Sequence, residues 1–163
     1  MSDNNRESTM SDPRFDAFAH ETHMKEALTL AREAVARGDE PFGSVLVRDD
    51  TVIMSESNHE ITESDIRRHP ELHLAYRACQ AYDPDERAEM IMYTSTEPCP
   101  MCAGGMVTAG FGYAVYSVGG DEIAEFTGSE SPIRSADVLD GITEVIGPIL
   151  NDQGRQIHQE YEW

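Results

Sequence analysis

The sequence predicts an α/β fold: three layers, α/β/α, around a central mixed sheet of about five strands. Three observations point there. One long segment carries apolar residues at helical spacing, five short runs are rich in β-branched and aromatic residues, and helix and strand signals alternate through the second half. At 163 residues and 39% hydrophobic, the chain is long enough for one domain with a substantial core and too short for two ordinary ones.

Residues 1 to about 13 are polar and are predicted to be a disordered tail, so the ordered domain is expected over 14–163. Met24, Ala27, Leu28, Ala31, Ala34 and Val35 then recur with a 3.6-residue period, and Gly38 supplies a stop, which predicts the first helix. Gly43-Ser44-Val45-Leu46-Val47, the turn pair Asp49-Asp50 and Thr51-Val52-Ile53-Met54 read as a hairpin. A loop is expected from Glu56 to Arg68, then a helix from Pro70 to about Ala81. Met90 to Thr94 reads as a strand, Pro100 to Ala109 as a helix and Tyr113 to Ser117 as a strand. A weaker helix near Glu122–Phe126, a last strand around Thr143–Ile146 and a closing helix from Asn151 to Tyr161 complete the expectation. Cys79 has apolar helical neighbours and reads as a small core residue; His20, His23, His59 and His158 read as surface residues.

Composition narrows the setting. No apolar run approaches the ~20 residues that span a bilayer, and the N-terminus lacks a basic start followed by an apolar stretch, so no membrane partner and a cytoplasmic location are expected. Three cysteines, two of them in one C-x-x-C, suit a reducing compartment better than a disulfide framework. Acids outnumber basic residues 31 to 12, the net charge is −19, and Lys25 is the one lysine. Self-repulsion of that size is screened within ~3 Å at molar salt, so the composition suggests a halophilic cytoplasm, the alternative being an acidic mesophile. There is no basic stripe of the kind nucleic-acid binders carry.

His69-Pro70-Glu71 and Pro98-Cys99-Pro100-Met101-Cys102 carry the chemistry. One imidazole and two thiolates fill three positions of a tetrahedral zinc site and leave the fourth for a water whose pKa falls toward neutrality. Glu71 is a carboxylate that such a metal does not need, which points to proton transfer, with His69, Cys99 and Cys102 as ligands of one Zn2+ per chain. Pro70 and Pro100 each suit the first turn of a helix, so all four groups are expected at helix N-termini, where partial positive charge favours thiolates.

At these residues the chain resembles the cytidine and deoxycytidylate deaminase superfamily, within it the branch of guanine, cytosine and tRNA adenosine deaminases. The likeness extends to Pro41-Phe42-Gly43-Ser44, to Asn58 eleven residues before His69, and to Tyr93-Thr94-Ser95-Thr96-Glu97-Pro98 before the cysteines. It implies a cytidine deaminase-like fold over 14–163 and hydrolytic loss of ammonia from a nucleobase or nucleoside. In that reaction Glu71 carries protons to the ring nitrogen and the leaving group. By resemblance, Asn58 contacts the base and the backbone carbonyl of Glu97 accepts from the amine. Guanine is the leading substrate, with cytosine or cytidine and the adenosine of a tRNA as alternatives. The resemblance also implies a homodimer in which a C-terminal segment covers an active site, a role that Tyr161 and Trp163 suit because flat rings stack on a purine. One departure stands out: the family usually has Ala or Gly between His and Glu, and Pro70 has no N–H to donate to a substrate.

Blander readings exist for each element. His73 lies one helical turn after His69 and could complete a structural Cys2His2 site, making a non-catalytic zinc-stabilised domain. The C-x-x-C could be a redox pair, and Asn58 could cap a turn. Arg67-Arg68 could steer an anionic substrate or simply pair with local acids.

Overall fold

The computed structural model describes residues 12–163. The expected tail over residues 1–11 lies outside them; Asp12 and Pro13 instead start a short helix, α1 (Pro13–Asp16), with the Asp12 carboxylate capping Arg14 N–H. The predicted first helix is α2 (His20–Arg37). It ends as expected at Gly38, whose φ of 101° is the left-handed conformation that suits glycine. β1 (Gly43–Arg48) and β2 (Thr51–Ser57) form the hairpin, and Asp49 and Asp50 turn it with φ values of 50° and 57°, a type I′ geometry.

The segment expected as a loop from Glu56 to Arg68 is more structured than its composition suggests. β2 runs to Ser57, and a single helical turn α3 (Glu60–Glu63) and a tight turn at Ile66–Arg68 follow. Such short turns are held by side-chain caps and tertiary bonds, and they leave no periodicity to read. The same holds for α5 (Pro84–Arg87) and α8 (Ser135–Val138). The remaining elements lie where expected within a few residues: α4 (Pro70–Ala81), β3 (Ile91–Thr96), α6 (Pro100–Ala109), β4 (Tyr113–Val118), α7 (Gly120–Thr127), β5 (Glu144–Ile146) and α9 (Asn151–Glu160).

The five strands form one mixed sheet in the order β2-β1-β3-β4-β5, antiparallel from β2 to β3 and parallel from β3 to β5. Helices α2 and α9 cover one face around Met24, Ala27, Val45, Ile91, Tyr93 and Val115. Helices α4, α6 and α8 cover the other around Leu46, Leu74, Met92, Met106, Phe111 and Leu139. Close approach demands glycine where α2 crosses β1: a Cβ on Gly43 would stand 2.6 Å from the backbone N of Ala31.

Two expectations are corrected. Cys79 is exposed, because the buried stripe of α4 runs through Leu74, Ala75 and Ala78 and leaves the next position facing out. His23 and His158 are buried and His20 and His59 are half-buried. His23 sinks because Asp50 receives its ring nitrogen at 2.7 Å. His158 shares the inward stripe of α9 with Gly154 and Ile157. Among the described residues no helix is long and apolar enough to cross a membrane.

Candidate functional site

His69 and Cys99 are the residues immediately before α4 and α6, and Pro70 and Pro100 occupy the first position of each helix, as the sequence predicts. Because α4 and α6 pack side by side, the two starts meet. His69 Nδ1 lies 3.8 Å from Cys99 Sγ and 3.6 Å from Cys102 Sγ, and all three ligand atoms fall within 4.8 Å of one another. Zinc bonds of typical length at tetrahedral angles place N and S about 3.6 Å apart, so the trio has the size of a zinc site. His73 is not part of it; its Nε2 faces Glu56 at 3.5 Å.

The titration of the trio supports the same fit. The Cys99 thiol is pulled down to about 4, chiefly by a hydrogen bond from Cys102 and also by His69, while Cys102 is pushed up by Cys99 and by burial. His69 is raised to about 9, chiefly by its hydrogen bond with Cys99. Left to themselves these groups hold one thiolate against one imidazolium. A divalent cation is what lets both sulfurs ionise and frees the Nδ1 lone pair. The other nitrogen of His69 is committed: Nε2 meets Glu60 Oε2 at 2.7 Å, which fixes the ring with Nδ1 toward the sulfurs. Glu60 is a candidate positioning residue absent from the sequence reading, since it lies on the unforeseen turn α3. That turn is itself pinned by Asp39, which accepts from Thr62 N–H and Thr62 Oγ1 at 2.8 Å each.

Glu71 is buried beside the trio, one residue into α4 from Pro70. Thr94 Oγ1 donates to its Oε1 at 2.7 Å, and Ser44 Oγ donates to Thr94 Oγ1 at 2.8 Å, a relay from β1 through β3 to α4. Burial raises the Glu71 carboxyl above the ordinary range, only partly offset by the Thr94 bond. A carboxyl so placed can hold a proton near neutral pH and release it. Ser44 and Thr94 belong to the segments Pro41–Ser44 and Tyr93–Pro98, and both are fully buried polar residues.

His69, Glu71 and Cys99 open onto a cavity whose other walls are Phe42, Glu97, the start of α7 and residues 129–135. Glu97 is part of its lining. Asn58 is fully buried just outside the lining; its Oδ1 caps α3 at Glu60 N–H, while its Nδ2 is buried without a partner. Trp163 also stays outside the lining but backs it, 6.0 Å from the Phe42 ring and stacked on His158 of the same chain. Arg67 pairs with Asp65, and Arg68 with Glu63 and Glu56, the local pairing that the acidic surroundings favour.

Residues 18–118 match the family model of the cytidine and deoxycytidylate deaminase zinc-binding region. The guanine deaminase of Bacillus subtilis is 41% identical over 91 residues, 55% of this chain and 58% of that protein. The chain thus spans little more than half of that relative. A probable cytosine deaminase of Schizosaccharomyces pombe is 28% identical over 148 residues, 85% of this chain and 90% of its own length. The solved guanine deaminase of Nitrosomonas europaea superposes with a TM-score of 0.76 over 88% of this chain and 84% of that one; at 20% identity this speaks to the fold alone. With the family model covering most of the domain and its zinc-binding motif assembled in three dimensions, the chain belongs to the cytidine and deoxycytidylate deaminase zinc-binding family.

Proposed function

We propose that the protein is a zinc-dependent hydrolytic deaminase of a free nucleobase or nucleoside, with guanine as its leading substrate. The observation that carries this reading is Glu71: a buried, hydroxyl-held carboxylate beside three ligands that need no fourth protein group. A zinc ion held by His69, Cys99 and Cys102 would supply activation of water near neutral pH. Glu71 takes the proton that the water gives up, passes it to the ring nitrogen and then serves the departing amine. Thr94 and Ser44 keep Oε1 engaged so that the carboxyl cannot swing away. Phe42 offers a flat apolar wall to a planar ring. Pro70 offers no N–H, so the base is oriented from the opposite wall and by Glu97, with Asn58 Nδ2 as the nearby donor still to be used.

Similarity to the B. subtilis guanine deaminase supports guanine. The net charge of −19 weighs against a tRNA substrate, and two thiolate ligands suit a reducing cytoplasm. The zinc-loaded protein, screened at molar salt for ammonia release, is expected to act on guanine above cytosine, adenine and their nucleosides. Inosine formed in a tRNA anticodon loop, with no release from any free base, would overturn the substrate assignment.

A homodimer belongs to the same proposal, through α6. No charged residue occurs from 98 to 120, although a quarter of the chain is charged, and Met101, Gly104 and Val107 face outward from that helix. Two copies, each at −19, meet with least repulsion on this uncharged face. Light scattering at molar salt is expected to give twice the 18.1 kDa chain mass, and Val107→Glu to give the monomer.

A further inference from the structure

Three separate segments wall the cavity: the turn carrying Glu97 to Pro100, the start of α7, and the stretch 129–135 that leads into α8. The Glu97 carboxylate touches all three. It hangs from the turn that presents Cys99, and its side chain is 6% exposed. Oε2 accepts the N–H of Gly120 at the start of α7 at 2.8 Å and Arg134 Nη2 at 3.1 Å. Oε1 accepts the buried Ser135 hydroxyl at 2.9 Å. Arg134 reaches on from there to Asp121, closing a ring between the two outer segments.

Burying a carboxylate costs several kcal/mol unless its lone pairs are met by well-placed donors. An apolar residue would fill the same space at lower cost but would impose no direction. Here each donor comes from a different part of the cavity rim, and the helix N-terminus at Gly120 favours the negative charge. Residues 129–133 are exposed and have no strand or helix of their own, so their distance from the turn that bears Cys99 depends on Arg134 and Ser135. Ser129, Glu130 and Ser131, polar residues of the cavity lining, belong to the same stretch.

We propose that the Glu97 side chain is a positioning residue that latches the polar outer wall of the cavity to the metal-bearing turn and thereby sets which bases fit. The inference deepens the proposed deaminase and rests on that reading for its substrate arm only. Its role is distinct from that of the Glu97 backbone, and it acts through the wall and not on the reacting atoms.

The test uses zinc-loaded full-length Glu97→Gln and Ser135→Ala. Glu97→Gln keeps the shape but removes the charge: its one oxygen must serve both Gly120 and Arg134 while the Ser135 hydroxyl turns to accept from the new NH2, so the charge-assisted bonds weaken together; Ser135→Ala removes one bond. Amide exchange at molar salt is expected to rise about tenfold or more in peptides covering 120–126 and 134–139, more in Glu97→Gln than in Ser135→Ala. Exchange in α4 and α6, and zinc content, should stay as in the parent. With guanine, KM is expected to rise roughly tenfold while kcat changes by less than about threefold. Unchanged exchange at 120–126 and 134–139 in both variants would overturn the latch. So would faster exchange throughout with loss of zinc in Ser135→Ala, which would make the cluster a general support of the fold. If the parent turns over no free base, the substrate assignment fails on its own and the exchange arm still decides the latch.

Discussion

Tyr93 and Thr94 are neighbours on β3, so they point to opposite faces of the sheet, and each ends among titratable groups joined by hydrogen bonds. On the α2 side, Tyr93 OH meets His20 Nδ1 at 2.5 Å, His23 packs its ring on Tyr93, and His23 Nε2 meets Asp50 Oδ1 at 2.7 Å. Asp50 also takes the Ala19 N–H. Burial pushes the Tyr93 phenol up and His20 down, so neither ionises readily. These bonds tie the hairpin turn to the start of α2, and none of the four side chains lines the cavity beside the trio. On the α4 side, Thr94 donates to Glu71, which does line that cavity, beside His69 and Cys99. Burial alone therefore does not mark a candidate site: His23 is as enclosed and hydrogen-bonded as Glu71. What separates them is a carboxyl that faces open space and a candidate metal-binding trio on one side, against groups that face only their own neighbours on the other.

A third imidazole sharpens that contrast with the largest effect on stability. His158 is buried among Phe42, Phe126 and Trp163 with Nδ1 unpartnered, and burial lowers it to about 4. Its folded value lies below the ordinary 6.5, so the neutral form is the one that the fold favours. Its contribution is complete above about pH 6.5 and is lost as pH falls toward 4, worth roughly 3 kcal/mol at most. Denaturant melts at molar salt between pH 7 and 4 should show this loss in the parent and not in His158→Phe. Equal slopes in the two proteins would break the assignment.

Next in size is the carboxylate behind the metal ligand. Glu60→Ala should weaken zinc binding about 10- to 100-fold in chelator competition, while the fold with zinc in excess is kept. Unchanged affinity would make the Glu60–His69 contact incidental to the metal site. The smallest effects compare the two faces directly. Thr94→Val should lower kcat about tenfold, roughly 1.4 kcal/mol, at nearly constant KM, because Glu71 loses the bond that holds it. Tyr93→Phe should cost about 1 kcal/mol of stability and leave turnover per folded molecule unchanged. Equal losses of turnover in both would dissolve the distinction drawn between the faces.

What could be read in advance follows from where the signals lie. The layered sheet was legible because α2, α4 and the apolar strands bury one stripe or face each, and burial writes periodicity into sequence. His69, Glu71, Cys99 and Cys102 were legible because zinc constrains both residue type and spacing within two short segments. Glu60 was not, since its link to His69 depends on a one-turn helix held by Asn58 and Asp39. The Glu97 latch was not, because its partners Gly120, Arg134 and Ser135 lie 23 to 38 positions away. The histidines on the α2 side and His158 were misplaced for a related reason: a lone histidine carries no sign of whether a partner or a ring waits for it in the fold.

The central claim is that the trio holds the metal and Glu71 moves the protons. The direct measurement is zinc content and ammonia release, side by side, in Glu71→Ala and in the parent, with a zinc-depleted control. The account predicts about one zinc per chain in both proteins and turnover lower by ~10²–10⁴ in the variant. Ammonia release at the parental rate in zinc-loaded Glu71→Ala would contradict it.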